Sequence, residues 1–142
     1  LKESGFTESK KWGPRESLSF DEINQMKDIV DFQSHSVSHP ILPMCSDNKA
    51  LHEIKASKEF LISNFGFEIY AFAYPNGNHS IREENIIKSQ NYQCALTTIN
   101  GSNTINSNLF RLKRISGGMG KSVIETSVKT SGLWEFITNI FN

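Results

Sequence analysis

Apolar residues recur at helical spacing in several stretches of the chain, and runs that read as strands lie between them. Phe20, Ile23, Met26 and Val30 share one face of a 3.6-residue period, which predicts an amphipathic helix over about 20–29. Its start is marked by Ser19 and Glu22, a capping box in which each side chain satisfies the other's free backbone N–H. Leu18 and Ile23 flank that box as a hydrophobic staple. Val30, Phe32 and Ser34 then alternate with Asp31, Gln33 and His35, predicting a short strand over 30–35. A second helix is predicted over about 48–64, opened by Ser46 or Asp47 and stopped by Gly66, with Leu51, Ile54, Leu61 and Phe65 as its buried stripe. The run FEIYAFAYP reads as a buried strand ending at Pro75, and Asn76-Gly77-Asn78 as the turn after it. Ser80 and Glu83 form a second capping box, opening a helix over about 81–90. Residues 94–98 predict another strand, and 109–115, where apolar and basic residues alternate, a strand or strand edge. Residues 1–17 and 99–108 read as loop, 116–120 as a flexible turn, and 121–141 as one or two short helices.

This alternation of helices and strands with short links is an α/β pattern with a parallel sheet. Three or four strands opening on a helix look like the middle and end of a larger α/β domain, since a complete eight-unit barrel takes about 250 residues. The expected organisation is therefore a loop or partial N-terminal segment over 1–17 and one domain over 18–142, incomplete at its N-terminal side. Composition agrees with a folded chain: of 142 residues, 37% are hydrophobic and 21% charged. Fifteen basic residues balance fifteen acidic ones with no dense Lys/Arg block, which argues against a nucleic-acid partner. No run approaches the length needed to span a membrane, and the opening LKESGFTESKKWGPRES reads as neither a signal peptide nor a natural start. Cys45 and Cys94 carry no CxxC spacing, so one disulfide or two thiols stay open, and with them the compartment.

Two segments carry candidate chemistry. Ser34-His35-Ser36-Val37-Ser38-His39-Pro40 follows a predicted strand, and ligands gather at the carboxyl ends of strands in α/β folds. Two imidazoles four residues apart can converge on one metal ion if the chain turns between them, and neutral imidazole suits Zn²⁺. Pro40 and the missing Glu set the pair apart from the H-E-x-x-H helix. Two histidines coinciding in a Ser-rich loop would look the same. Ala71-Phe72-Ala73-Tyr74-Pro75-Asn76-Gly77-Asn78-His79 is a second strand end, whose backbone N–H groups could face a developing oxyanion. A plain tight turn explains it equally, because Asn and Gly tolerate the dihedrals required.

Taken together, HSVSHP after a capped helix and FAYPNG some thirty-five residues later resemble the polysaccharide deacetylase family, the NodB-homology or carbohydrate esterase 4 group. DIVDFQSHSVSH resembles the family's lead-in, and YQCALTTINGSN the strand and loop after its groove motif, so the likeness spans roughly 18–116. The resemblance implies a distorted (β/α)7 barrel with parallel strands, of which this chain is the later part. It implies hydrolysis of acetyl groups from N- or O-acetylated polysaccharide, acting on carbon–nitrogen but not peptide bonds. His35 and His39 would be ligands of Zn²⁺ or another divalent transition metal. The Asn76 backbone N–H would be an oxyanion donor, and Tyr74, Pro75 and Gly77 would line the substrate groove. An envelope-associated or secreted location follows by resemblance alone.

The chain departs from that pattern at several places. The family opens with an aspartate pair that supplies the general base and third ligand. Phe20-Asp21-Glu22 lies too close to His35 to be that pair and is explained by its capping box. No aspartate follows Asp47, and Asp31, on the same expected strand face as His35, is the one substitute. The pair is therefore expected upstream of Leu1, and this piece alone is expected to bind Zn²⁺ weakly and to be inactive. Ala73 stands where the family often has arginine, and no late histidine matches the family's general acid. His79 reads as an exposed turn residue, His52 as a surface position on the second helix, and Arg114 as a solvated strand end. Cys45 could in principle join a Cys/His site, although a small thiol in or near the core accounts for either cysteine. Three functional readings stand beside one another: a metal-dependent deacetylase, a noncatalytic carbohydrate-binding relic of that fold, and a metal-binding or structural α/β module unrelated to sugars.

Overall fold

A computed structural model of the chain describes residues 17–115, 127 and 130–132. The turn expected over 116–120 and most of the helical segment expected over 121–141 lie outside the described residues. The chain divides into two units, Leu1–Asp31 and Phe32–Asn142.

In the first unit the capping box forms as the sequence predicts. Helix α1 runs Phe20–Met26; the Ser19 side chain accepts from the Glu22 N–H, and the Glu22 carboxylate accepts from the Ser19 N–H at 2.9 Å. The helix is shorter than the expected 20–29, and the chain turns instead at 27–29, with the Ile29 and Val30 N–H groups both reaching Met26 O. None of its residues is buried. A short helix with no buried residue gains little from another turn.

The second unit is an α/β body around one parallel sheet. Helix α2 spans Asp47–Phe65, β1 Ala71–Ala73, α3 Ile81–Ser89, β2 Cys94–Asn100 and β3 Leu112–Arg114. The strand order is β1-β2-β3, with Ala71, Phe72 and Ala73 facing Cys94, Ala95 and Leu96 in parallel register. Strand β3 joins β2 in parallel through Leu112 against Leu96 and Arg114 against Asn100, with an irregularity between.

The segment expected as a strand over 30–35 pairs with β1 at Ser34 only, opposite Phe72. Gln33 explains why the ladder stops there. Its side-chain Oε1 accepts from the Tyr70 and Ala71 N–H groups at 3.0 and 2.9 Å, and its Nε2 donates to Glu68 O at 3.1 Å. An amide side chain thus does the pairing that a second backbone would otherwise do.

Both long helices end as the sequence predicts. Ser46 caps α2 at its start, and Gly66 closes it in the left-handed conformation at φ 69°. The Ser80–Glu83 capping box opens α3. Lys58 reaches across from α2 to Gln90 O and Asn91 O at the end of α3, a cation on free helix carbonyls. The core gathers Leu42, Ile54, Ile69, Phe72, Tyr74, Ile87, Tyr92 and Ala95. Leu51 does not join it as expected: the buried positions of α2 are Ala50, Glu53, Ile54 and Ser57, and Leu51 faces outward. Ile54 is buried and Leu61 packs against the core as expected, and the inward face also takes two polar groups, Glu53 and Ser57, that have specific partners in the 34–38 segment.

Candidate active site

Those two polar residues of α2 build the first half of the site. Ser57 Oγ lies 2.6 Å from Ser34 Oγ, tying the last paired residue of the edge segment to the helix. One turn earlier, Glu53 is 4% exposed and meets the loop that follows Ser34. Its Oε2 accepts from the Val37 and Ser38 N–H groups at 2.9 and 2.8 Å, and its Oε1 accepts from Ser38 Oγ at 2.5 Å. Burial pushes the Glu53 carboxyl up, but these donors outweigh it and hold the group below the usual carboxylate range. The loop is thereby bent twice through the left-handed region, at Ser36 (φ 65°) and His39 (φ 54°). Ser36 Oγ accepts from the His39 N–H at 3.0 Å and closes the bend.

The bend brings the two histidines together. The His35 and His39 rings sit edge to face with centroids 4.8 Å apart, both residues exposed. His35 Nδ1 donates to Ala73 O at 2.8 Å, so its Nε2 carries the free lone pair. A cavity of about 550 Å³ lies on the α2 side of this loop, lined among others by His35, Val37, His52 and Phe60. His52 is exposed, as the sequence predicts for a surface position, and it also borders this cavity.

The hydrogen bond from His35 to Ala73 joins the histidine loop to the second half of the site, because Ala73 is the last residue of β1. Beyond it, Pro75–Gly77 form a tight turn. Asn76 (φ 54°) and Gly77 (φ 75°) are both left-handed, and the Asn78 N–H reaches Pro75 O at 3.2 Å. This is the Asn-Gly turn chemistry read from the sequence. Gly77 has no alternative: a Cβ there would lie 2.2 Å from Thr98 Oγ1 and 2.7 Å from Thr98 N. Thr98 Oγ1 in turn donates to Asn76 O at 3.2 Å.

Within the turn Asn76 is exposed and Gly77 half-buried, whereas Tyr74 and Pro75, expected on a groove wall, are buried. Tyr74 follows Phe72 onto the core face, and its hydroxyl donates to Phe110 O at 3.1 Å. Burial, with the Glu84 and Glu83 carboxylates adding to it, pushes that phenol far above its ordinary range. His79, expected to be exposed, is tucked against Tyr74 with its side chain 16% exposed.

The donor set is incomplete. Two imidazoles meet, and among the described residues no three His, Cys, Asp or Glu side chains form a group able to hold a metal ion. Asp31 belongs to the first unit, and no regular strand sets it on one face with His35. Cys45 and Cys94 are free thiols, both partly buried; Cys45 Sγ points to Ile41 O, and burial raises the Cys94 thiol pKa. Arg114 lies exposed on β3. Glu53 is the participant that the sequence reading missed. An acidic residue at the i+3 position of a stripe otherwise made of Ala50, Ile54 and Ser57 was the available signal.

Residues 9–95 match the family model for polysaccharide deacetylase. No match was found among curated protein sequences. Several solved structures resemble the chain. A Streptococcus pyogenes deacetylase, PplD, solved in complex with acetate, is 28% identical with a TM-score of 0.76 over 82% of this chain and 52% of its own. BC0361, a polysaccharide deacetylase from Bacillus cereus, is 30% identical with a TM-score of 0.72, covering 80% of this chain and 36% of its own. BA0330 from Bacillus anthracis is 30% identical at the same TM-score of 0.72, over 82% and 37%. The chain thus spans about half or less of each of these proteins. It shares with them the α/β fold with parallel strands that the sequence predicts.

Proposed function

Because the chain belongs to the polysaccharide deacetylase family, we propose that it carries part of the active site of a metal-dependent hydrolase that removes acetyl groups from an acetylated polysaccharide. The observation that supports this most is the bond from His35 Nδ1 to Ala73 O, which sets the two-histidine loop beside the exposed Asn76–Gly77 turn. Chemistry of this kind needs a cation and a backbone donor that both reach the oxygen of one acetyl carbonyl, and the two segments are neighbours. That PplD was solved with acetate agrees with an acetyl group as the reacting part.

His35 and His39 fit a divalent transition ion as two of its ligands. Nδ1 of His35 is fixed by a carbonyl, the arrangement that commonly orients an imidazole ligand, and Nε2 is left for the ion. Zn²⁺ or a similar ion bound there would polarise the acetyl carbonyl and lower the pKa of a water. The protein's own contribution is geometric. Glu53 keeps the loop bent so that the two ring centroids stand 4.8 Å apart, and the exposed Asn76 leaves its backbone open to an acetyl oxygen. His79 is not the general acid, since Nδ1 is bonded to Gly77 O and Nε2 faces Glu84.

Calorimetric titration with Zn²⁺ tests the reading on the wild type, His35→Ala and His39→Ala. One ion per chain, lost in either variant, is the expected result. Equal binding by all three proteins would remove His35 and His39 from the site, and the enzymatic assignment would lose its structural support.

A further inference from the structure

The turn that carries Asn76 has a second support that the proposed chemistry does not use. His79 lies two residues beyond Gly77 and folds back over it. Its ring stacks on Tyr74 with centroids 4.7 Å apart and planes 22° from parallel. Gly77 O can only accept, so His79 Nδ1 carries the proton in the 3.1 Å hydrogen bond between them. The opposite ring nitrogen, Nε2, stands 3.9 Å from Glu84 Oε1. Glu84 is 3% exposed on α3 and accepts from Arg111 Nε at 2.5 Å. Tyr74 is pinned in turn through its hydroxyl to Phe110 O. The imidazole is therefore held on its face by Tyr74, while Nε2 stands beyond hydrogen-bond distance of the carboxylate. Its one free act is to hold the Gly77 carbonyl.

We propose that His79 is a positioning residue for the Asn76–Gly77 turn: seated on Tyr74, it holds the Gly77 carbonyl and so fixes the backbone that presents the Asn76 N–H. This rests on the reading of Asn76 as the donor to the acetyl oxygen. Asn76 and Gly77 suit the left-handed turn and Thr98 packs against it, but neither supplies a partner for the Gly77 carbonyl. A hydrogen bond to Gly77 O selects one orientation and carries it back through the Gly77 N–H bond to Tyr74 O at 2.9 Å. A lysine or glutamine at position 79 would present a polar tip but no flat ring to stack on Tyr74. Phenylalanine would keep the stack and lose the donor.

Amide hydrogen exchange on this chain tests the assignment with His79→Phe and His79→Asn, the latter keeping an N–H donor near the position of Nδ1. In His79→Phe the Gly77 and Asn78 amides should exchange about tenfold faster, with the Ala73 and Ile87 amides unchanged, because only the turn opens. His79→Asn should return both amides to within about threefold of wild type. Unchanged turn amides in His79→Phe would overturn the proposal. So would a rise shared by Ala73 and Ile87, or failure of the asparagine to restore protection. In the full-length deacetylase His79→Phe should lower kcat about tenfold at unchanged KM, and a rise in KM at constant kcat would count against it. The exchange result does not depend on metal or turnover, so a failure of His79 and a failure of the zinc site are told apart.

Discussion

The loop from His35 to His39 and the turn from Pro75 to Gly77 each place two residues in the left-handed region, and different forces keep them there. In the turn, the residues are Asn76 and Gly77, types that adopt positive φ at little cost, and the fit against Thr98 leaves room for nothing else. In the loop they are Ser36 and His39, each of which costs about 1 kcal/mol or more in that region. That cost is offset by one buried carboxylate with three donors. The turn is held by shape and the loop by charge. A charge-held loop can respond to pH, to a neighbouring cation and to the loss of one distant side chain. A shape-held turn is far less dependent on charge, with His79 proposed only to fix the Gly77 carbonyl within it.

The sharpest way to break the contrast is Gly77→Ala. The added methyl would meet Thr98 Oγ1, which could rotate away, and Thr98 N, which belongs to β2 and could not. With the positive φ added, a loss of about 2–4 kcal/mol is expected in urea denaturation, independent of pH. Adding Thr98→Ala should recover little of it, since the backbone contact remains. A loss below about 1 kcal/mol would mean that the turn shifts freely and is not shape-held.

Glu53→Gln tests the other half. The side chain keeps its size, and its amide oxygen can still accept from the Val37 and Ser38 N–H groups. Its NH2 would have to donate to Ser38 Oγ, so the charge and one acceptor are removed. Hydrogen bonds to a charged acceptor exceed neutral ones by about 1 kcal/mol, and a loss of roughly 1–2 kcal/mol is expected. The pH dependence separates the two variants. The folded carboxyl titrates below its unfolded value of about 4.3, so its stabilisation is complete above that pH and is lost as pH falls through the lower, folded value. The gap between wild type and Glu53→Gln should therefore be constant from neutral pH down to about 5 and close in stronger acid. The Gly77→Ala gap should not. A Glu53→Gln gap that persists unchanged in acid would show that packing, not charge, holds the loop.

The same difference explains what the sequence disclosed. Shape-held features are written locally: Asn-Gly for the turn, Gly66 for the end of α2, Ser19 with Glu22 and Ser80 with Glu83 for two helix starts. Each works through neighbours three or four residues away, and each is found where it was expected. Features that join distant segments were hidden. Glu53 meets Ser38 across fifteen residues, and Gln33 replaces a strand by bonding to Tyr70 across thirty-seven. Nothing local marks a glutamine that will act as a ladder or a glutamate that will cap a remote loop. Tyr74 misled for a related reason. Its place in the FAYPNG segment suggests a groove wall, but the alternation that buries Phe72 buries Tyr74 as well, leaving Asn76 exposed and Gly77 half-buried in the turn.

The smallest expected effect lies at Asn76, the one residue of the turn that chemistry and conformation both claim. Its backbone is left-handed at φ 54° and ψ 7°, and its carbonyl accepts from Thr98 Oγ1. Glycine at this position keeps every backbone group and tolerates the angle, so Asn76→Gly should change stability by less than about 0.5 kcal/mol, lower rigidity of the unfolded chain being the main cost. Alanine keeps the same backbone groups but prefers the right-handed region, and Asn76→Ala should lose about 1 kcal/mol. If the side chain has no part in binding, both variants should present the same N–H, and kcat for the proposed deacetylation should track the population of the native turn. Turnover that falls further in Asn76→Gly than in Asn76→Ala, against the order of their stabilities, would assign the work to the Asn76 carboxamide and not to its backbone.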